Sequence, residues 1–225
     1  MIQFFPDPEA LALAAAKRIV QVGMAALVER ERFDLVLTGG RTPQRCYEIL
    51  AERMGDDSGF WSETHVWWSD ERCVPPDAPE SNYHFAKETL LDAVKILPQN
   101  VHRIPAEAPD PDVAAAEYAE AFPPYPDLLL MGMGVDGHTA SLFRGSSAIE
   151  ENERRFLAVT APLPPTGRIT ITTPGITSAR SVLVLVTGPA KAGAMQHVFG
   201  EGDIRQTPAA LLCEATWFVT QDAMG

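Results

Sequence analysis

The sequence predicts an α/β fold with a largely parallel sheet flanked by helices on both faces, carried by a single domain spanning residues 1–225. Three observations point there. Short, almost wholly apolar runs recur, FDLVL at Phe33–Leu37, LLLM at Leu128–Met131 and SVLVLV at Ser181–Val186, as in strands buried on both faces. Each run ends at a glycine turn, at Gly39-Gly40, at Gly132, Gly134 and Gly137, and at Gly188, and each turn opens onto a helix-forming segment. The length of 225 residues suits one set of alternating strands and helices rather than two.

Taken in order, Asp7 is placed to cap a long alanine-rich helix running to about Arg30. Its apolar stretch Leu11–Leu27 is interrupted by Lys17, Arg18 and Gln21, well short of a membrane span. Phe33–Leu37 is the first strand, and a helix follows from about Pro43 to Met54, proline suiting its first turn. Thr64–Ser69 is a second strand ending at Asp70-Glu71-Arg72, with a helix from near Ser81 through Leu91. Val101–Ile104 is expected as a short strand, the alanine-rich segment after Pro111 as a helix, and Asp127–Met131 as a buried strand. Phe156–Thr160, Arg168–Thr172, Ser181–Val186 and Thr216–Thr220 follow as strands, with a helix from about Pro189 to Phe199 between the last two. The proline pairs 75–76, 123–124 and 164–165 mark loops inside the domain.

Composition narrows the function. Thirty acidic against 18 basic residues leave a net charge of −12 with no long basic stripe, which disfavours a nucleic-acid partner. Cys46, Cys73 and Cys213 are scattered and form no CxxC, which speaks against a disulfide framework or zinc knuckle and fits a reducing cytosol. The start of the chain lacks the basic flank and apolar core of a signal peptide. A soluble cytoplasmic protein is expected, with a small-molecule substrate, no membrane partner, and a monomer as the default state.

The motifs sit at strand ends, where α/β folds bind ligands. Asp136 and His138 lie in the glycine turn after Leu128–Met131, with Thr139 and Ser141 just beyond, so a group that exchanges protons near neutrality stands where a substrate would lie. Thr38-Gly39-Gly40-Arg41-Thr42-Pro43 opens a helix through glycines, a ready phosphate cradle, although such turns are also common as plain connections. Its spacing matches neither a P-loop nor a dinucleotide fingerprint, so ATP and NAD are disfavoured and no cofactor is expected. Arg72 ends a strand, Arg168 begins one, and Lys191 lies in the first turn of a helix, where a cation is unfavourable unless an anion offsets it. Taken singly, each is more often a solvated surface charge. Their convergence on one histidine is what argues for a site. His65, His84, His102 and His197 lack metal-ligand spacing with His138, so no metal is expected, and no Gly-x-Ser-x-Gly elbow occurs.

The segments LTGGRTP (37–43), WWSDERCVPPDAPESNY (67–83), LLLMGMGVDGHTASLF (128–143), RITITTPGI (168–176), VTGPAKA (186–192) and PAALL…WFVTQDA (208–223) occur in this order over nearly the whole chain. They closely resemble the 6-phosphogluconolactonases, within the wider group that includes the glucosamine-6-phosphate deaminases. The resemblance implies a Rossmann-like fold of the NagB/RpiA-like type. Deaminases typically carry a DGHIAFNEP-like segment whose glutamate partners the histidine, whereas Thr139-Ala140-Ser141-Leu142-Phe143 follow His138 here. They also read Asp-Glu-Tyr where this chain has Asp70-Glu71-Arg72. Arg41 stands where many lactonases have serine.

The resemblance implies metal-independent hydrolysis of 6-phosphoglucono-1,5-lactone to 6-phosphogluconate, the second step of the oxidative pentose phosphate pathway. His138 is then the base that activates water, with Asp70 or Asp136 orienting its imidazole. Arg72 is the candidate contact to the oxyanion or the phosphate. Gly39, Gly40, Arg41, Thr42, Arg168 and Lys191 are the candidates for holding the 6-phosphate. A non-catalytic sugar-phosphate sensor on the same fold is the rival from another class. The acidic charge and the histidine speak against it.

Overall fold

The apolar runs pair with one another in the computed structural model, which describes residues 1–200 and 202–225. The elements through the first half are β1 (Ile2–Phe5), α1 (Pro8–Arg30), β2 (Phe33–Leu37), α2 (Gln44–Met54), α3 (Ser58–Ser62), β3 (Thr64–Trp68), β4 (Asp70–Arg72), α4 (Asn82–Thr89) and α5 (Pro111–Ala121). The second half carries β5 (Leu128–Gly132), β6 (Phe156–Thr160), β7 (Gly167–Ile171), α6 (Thr173–Ser178), β8 (Val182–Val186), α7 (Ala192–Phe199) and β9 (Thr216–Thr220). Six strands form one all-parallel sheet in the order β1-β9-β8-β5-β2-β3.

That order contains a reversal. From β2 the chain steps outward to β3 on one side, and later returns to β2's other side with β5 and continues outward to β8 and β9. Connections leaving β2 and β5 therefore diverge and open a crevice at the carboxyl ends of these strands, the place where such sheets bind ligands.

Helix α1 has the length and mean hydropathy, 1.6, of a membrane-crossing helix, but its apolar stripe is used inside the fold. Leu11, Ala12, Ala15, Ala16, Ile19, Gly23 and Ala26 recur at three- and four-residue spacing and are buried, the helix packing on β2, β9 and α2. Asp7 caps it as expected, accepting from the Ala10 N–H at 2.8 Å, a contact worth about 1 kcal/mol. Gly23 lets α1 approach closely. A Cβ there would lie 2.6 Å from the Phe60 ring and 2.8 Å from that of Phe33.

Four departures from the sequence expectation have physical causes. The glycine turn after β5 opens onto no α-helix: Ala140, at φ 47°, leaves the helical region, and Thr139 bridges to Leu142 in a tight turn before a single 3-10 turn at Ser147–Glu150. The strand-forming segments 156–160 and 167–171 do not join the parallel sheet; with β4 they make a separate antiparallel sheet in the order β4-β7-β6. Val101–Ile104 is no strand; only Val101 bridges to Val66, with the His102 N–H donating to the Val66 carbonyl at 2.8 Å. β1 was not expected, because four half-exposed residues carry no periodic signal. It becomes a strand by pairing with β9 at the far end of the chain, Ile2 opposite Trp217.

Candidate active site

The turn after β2 is pinned from within. The Tyr47 hydroxyl, fully buried, accepts from the Thr38 N–H at 3.1 Å and donates to the Thr38 carbonyl at 2.8 Å. Gly40 adopts φ +92°, a conformation glycine supplies without strain. The chain then enters α2 at Gln44, so the N–H groups of Gly39, Gly40, Arg41 and Thr42 precede a helix N-terminus. None of them bonds to another described residue. Such a row of free donors favours an anion. The Thr42 hydroxyl lies 3.2 Å from that of Thr187, which ties this turn to the end of β8.

The turn after β5 holds the histidine. Gly134 N–H donates to the His138 carbonyl at 2.8 Å, and Gly137, at φ +81°, donates back to Gly134 at 3.2 Å. His138 Nδ1 lies 2.6 Å from Asp136 Oδ1, whose oxygen also accepts from the His138 N–H at 3.3 Å. An ionised carboxylate can only accept, so this contact selects the tautomer with the proton on Nδ1 and leaves a lone pair on Nε2. Burial pushes the Asp136 carboxyl up, but its hydrogen bonds and the His138 charge outweigh that and hold it below the ordinary range. The Phe143 ring packs against the imidazole, 4.7 Å between centroids. Ala140 is held at φ 47°, which costs an L-residue about 1–2 kcal/mol. Its neighbours hold it there: Thr139 Oγ1 donates to the Gly132 carbonyl at 2.8 Å, and the Ser141 N–H donates to Thr170 Oγ1 at 3.0 Å.

From the small sheet come the arginines. Arg72 and Arg168 are register partners across β4 and β7. Arg72 Nη1 donates to the Glu80 carbonyl, while its Nε is buried without a partner. Arg168 is buried and donates from Nε to the Pro165 carbonyl at 2.8 Å. Burial, then the neighbouring Arg72 charge, lower the Arg168 pKa, and Asp70 and Glu71 only partly compensate. Two apposed guanidiniums with incomplete compensation are relieved by an anion. Beyond β8, Gly188 at φ +91° turns the chain so that Lys191 Nζ donates to the Met133 carbonyl at 2.6 Å. Burial lowers the Lys191 pKa, Asp136 opposes this, and Arg41 adds to it, so Lys191 stands between the glycine turn and the His138 turn.

These parts enclose a cavity of about 550 Å³, within the usual range for a small-molecule site. Gly39, Gly40, Arg41, Thr42, Asp70, Arg72, His138 and Lys191 all line it. Asp136, bonded to the His138 ring, and Arg168, the register partner of Arg72, both lie outside the lining. Of the two carboxylates considered for orienting His138, the structure joins Asp136 to the ring. Asp70 instead accepts from Ser141 Oγ at 2.7 Å and from Asn82 Nδ2 at 3.0 Å. Among the described residues no three His, Cys, Asp or Glu side chains gather into a metal-ligand set.

Sequence reasoning overlooked Thr187 and underused Asn82. Thr187 precedes the glycine of VTGPAKA at a strand end, a position that signals a ligand turn. Asn82 lies twelve residues beyond Asp70, and only the folded loop brings the two together.

The chain is similar to known proteins over nearly its whole length. A family model described as glucosamine-6-phosphate isomerases/6-phosphogluconolactonase matches residues 6–220. A 6-phosphogluconolactonase of Mycobacterium tuberculosis is 38% identical, the match covering 99% of this chain and 96% of that protein. One from Streptomyces coelicolor is also 38% identical, over 91% of this chain and 84% of its own length. The structure of 6-phosphogluconolactonase from Trypanosoma cruzi superposes with a TM-score of 0.86 at 27% identity, covering 99% of this chain and 94% of that one. The chain belongs to the glucosamine-6-phosphate isomerase/6-phosphogluconolactonase family.

Proposed function

We propose that this protein is a carboxylic ester hydrolase that opens 6-phosphoglucono-1,5-lactone to 6-phosphogluconate, with His138 as general base and no metal ion. One observation carries the proposal: a histidine with Nδ1 engaged by Asp136 shares a cavity with Arg41, Arg72, Lys191 and a turn of free N–H donors. That is one proton acceptor and one anion cradle, the two things a phosphorylated lactone requires. The relatives called 6-phosphogluconolactonase support this branch of the family over the deaminase branch. So does Phe143 against the imidazole, in the segment where a deaminase carries its glutamate.

A lactone is an activated ester, so the chemistry needs a positioned water, a base, and stabilisation of the negative charge that develops on the carbonyl oxygen. His138 Nε2 takes a proton from water as the water oxygen bonds to C1. The tetrahedral intermediate carries its charge on the former carbonyl oxygen, and Arg72, which lines the same cavity as His138, is the candidate cation for that oxyanion or for the phosphate. As the bond from C1 to the ring oxygen breaks, the proton on Nε2 passes to that oxygen, leaving a hydroxyl and a carboxylic acid that ionises in water. Asp136 holds the Nδ1–H tautomer throughout and offsets the imidazolium charge.

Gly39, Gly40, Arg41, Thr42 and Lys191 hold the 6-phosphate, and Arg168, the register partner of Arg72, reinforces the positive field. Anchoring that remote dianion fixes C1 against His138, so binding energy spent far from the reacting carbon appears in the rate. The test is stopped-flow decay of freshly generated lactone at slightly acidic pH against a buffer blank. Acceleration well above the blank is expected; folded protein that adds nothing to the spontaneous rate would refute the proposal.

A further inference from the structure

Along one wall of the cavity, lined by Asp70 and Asn82, runs a chain of buried hydrogen bonds that neither the proton transfer nor the phosphate cradle uses. At its centre is Asp70, 6% exposed. Asp70 Oδ2 accepts from Ser141 Oγ at 2.7 Å, and Ser141 lies three residues past His138 in the same turn. The Asp70 Oδ1 and carbonyl oxygen accept from Asn82 Nδ2 at 3.0 and 2.8 Å. The other end of that amide presses on the phosphate turn, for a Cβ added to Gly39 would lie 2.0 Å from Asn82 Oδ1. Asn82 is itself fixed from below. The buried Glu71 carboxylate accepts from the N–H groups of Asn82 and Tyr83 at 2.7 and 2.8 Å and from Ser81 Oγ at 2.9 Å, seating the first turn of α4.

We propose that Asn82, Asp70 and Ser141 form a cross-brace that sets the span between the phosphate-holding turn and His138, and thereby the length of substrate the enzyme accepts. The proposal rests on the lactonase function above and goes beyond it, naming three positioning residues that touch no reacting atom. Both loops flank a topological reversal, and the described hydrogen bonds give them few other shared contacts to hold their separation. The hydroxyl contact of Thr42 with Thr187 reaches β8 rather than the His138 turn. In the lactone, the distance from the phosphorus to C1 is limited by its six-carbon frame. An error of about 1 Å between anchor and base costs on the order of 100-fold in rate. Each member of the brace is at least nine-tenths buried, Asn82 at 3% and Ser141 at 0% exposed, so water does not compete for these bonds.

The test cuts each arm. Asn82→Ala and Ser141→Ala are each expected to lower kcat/KM for the six-carbon lactone phosphate about 10- to 100-fold. The inhibition constant of inorganic phosphate should stay within about twofold of wild type, because each half of the site remains intact. The double variant should cost little more than either single one, since one cut already frees the loops. Asp70→Asn should recover most of what Asp70→Ala loses: the amide oxygen still accepts from Asn82, and the amide N–H₂ donates to the Ser141 hydroxyl. Melting temperatures are measured alongside, and the Asp70 pair decides the matter if either alanine variant does not fold. Unchanged kcat/KM, phosphate affinity falling in step with kcat/KM, or Asp70→Asn as impaired as Asp70→Ala would each overturn the brace. Wild-type protein that leaves the lactone untouched would refute the lactonase function instead, a result the variants do not mimic.

Discussion

Replacing Gly134 with alanine would push one methyl group into the pair on which the proposed chemistry depends. The added Cβ would lie 2.1 Å from His138 Nδ1, 2.3 Å from its Cε1 and 2.5 Å from Asp136 Oδ1. Gly134 is not in the left-handed region, so alanine adopts its backbone without strain and the whole cost is the collision. Ordinary contact begins at 3.4 Å, so Nδ1 must move by roughly 1.3 Å or the 2.6 Å bond to Asp136 must break. A displacement of that size costs about 100-fold in turnover, on the order of 2.7 kcal/mol of transition-state stabilisation. The imidazole is one-third exposed and swings outward into solvent, so the fold is expected to lose less than about 1 kcal/mol. Stopped-flow lactone decay gives kcat, and a thermal melt gives stability. A Gly134→Ala variant with wild-type kcat would refute the claim that this placement of His138 against Asp136 drives the reaction.

Two further outcomes follow from the same contacts. Asp136→Asn preserves the size of the side chain but no longer selects the Nδ1–H tautomer. It is expected to lower kcat by 10²- to 10⁴-fold with KM within about threefold, measured by steady-state kinetics. Away from the site, His65 Nδ1 and His102 Nε2 lie 2.9 Å apart, and His102 stacks on Trp67 at 3.9 Å. Burial, then the His65 and Arg32 charges, lower the His102 pKa from 6.5 to about 4. The unfolded chain therefore binds the extra proton first. This contribution is full above pH 6.5 and is lost as pH falls towards 4. The ring is only partly buried, so solvent screening reduces the effect to about 1–2 kcal/mol. Denaturant melts between pH 7 and 4 should show that slope in the wild type and a shallower one in His102→Gln.

How much of this was legible in the sequence depends on how local each signal was. β2, β5 and β8 announce themselves because strands buried on both faces need continuous apolar residues, and the glycine turns at their ends are contiguous motifs. β4 announces nothing: its sequence is Asp-Glu-Arg, and it is a strand only because Thr170, Ile169 and Arg168 pair with it. The small antiparallel sheet was therefore folded into the parallel one in the sequence-based expectation. The site divides the same way. His138 and Asp136 are two residues apart, yet an equally plausible Asp70 left the choice of partner open until the contact itself was seen. Asp70 proved to be bound to Ser141, 71 residues away, and to Asn82, beyond the reach of any local pattern. Arg168 pairs in register with Arg72, but its burial outside the cavity lining is a tertiary fact that no strand-end motif encodes.

The central claim is that Nε2 of His138 removes the proton from the attacking water. The most direct measurement compares wild type with His138→Ala on freshly generated 6-phosphogluconolactone by stopped flow, blank-corrected, with binding of 6-phosphogluconate followed by calorimetry on the same samples. The account predicts a loss of 10²- to 10⁴-fold in kcat, the usual contribution of a general base, with product affinity held within about threefold. Wild-type turnover in a folded His138→Ala protein that still binds 6-phosphogluconate would contradict it.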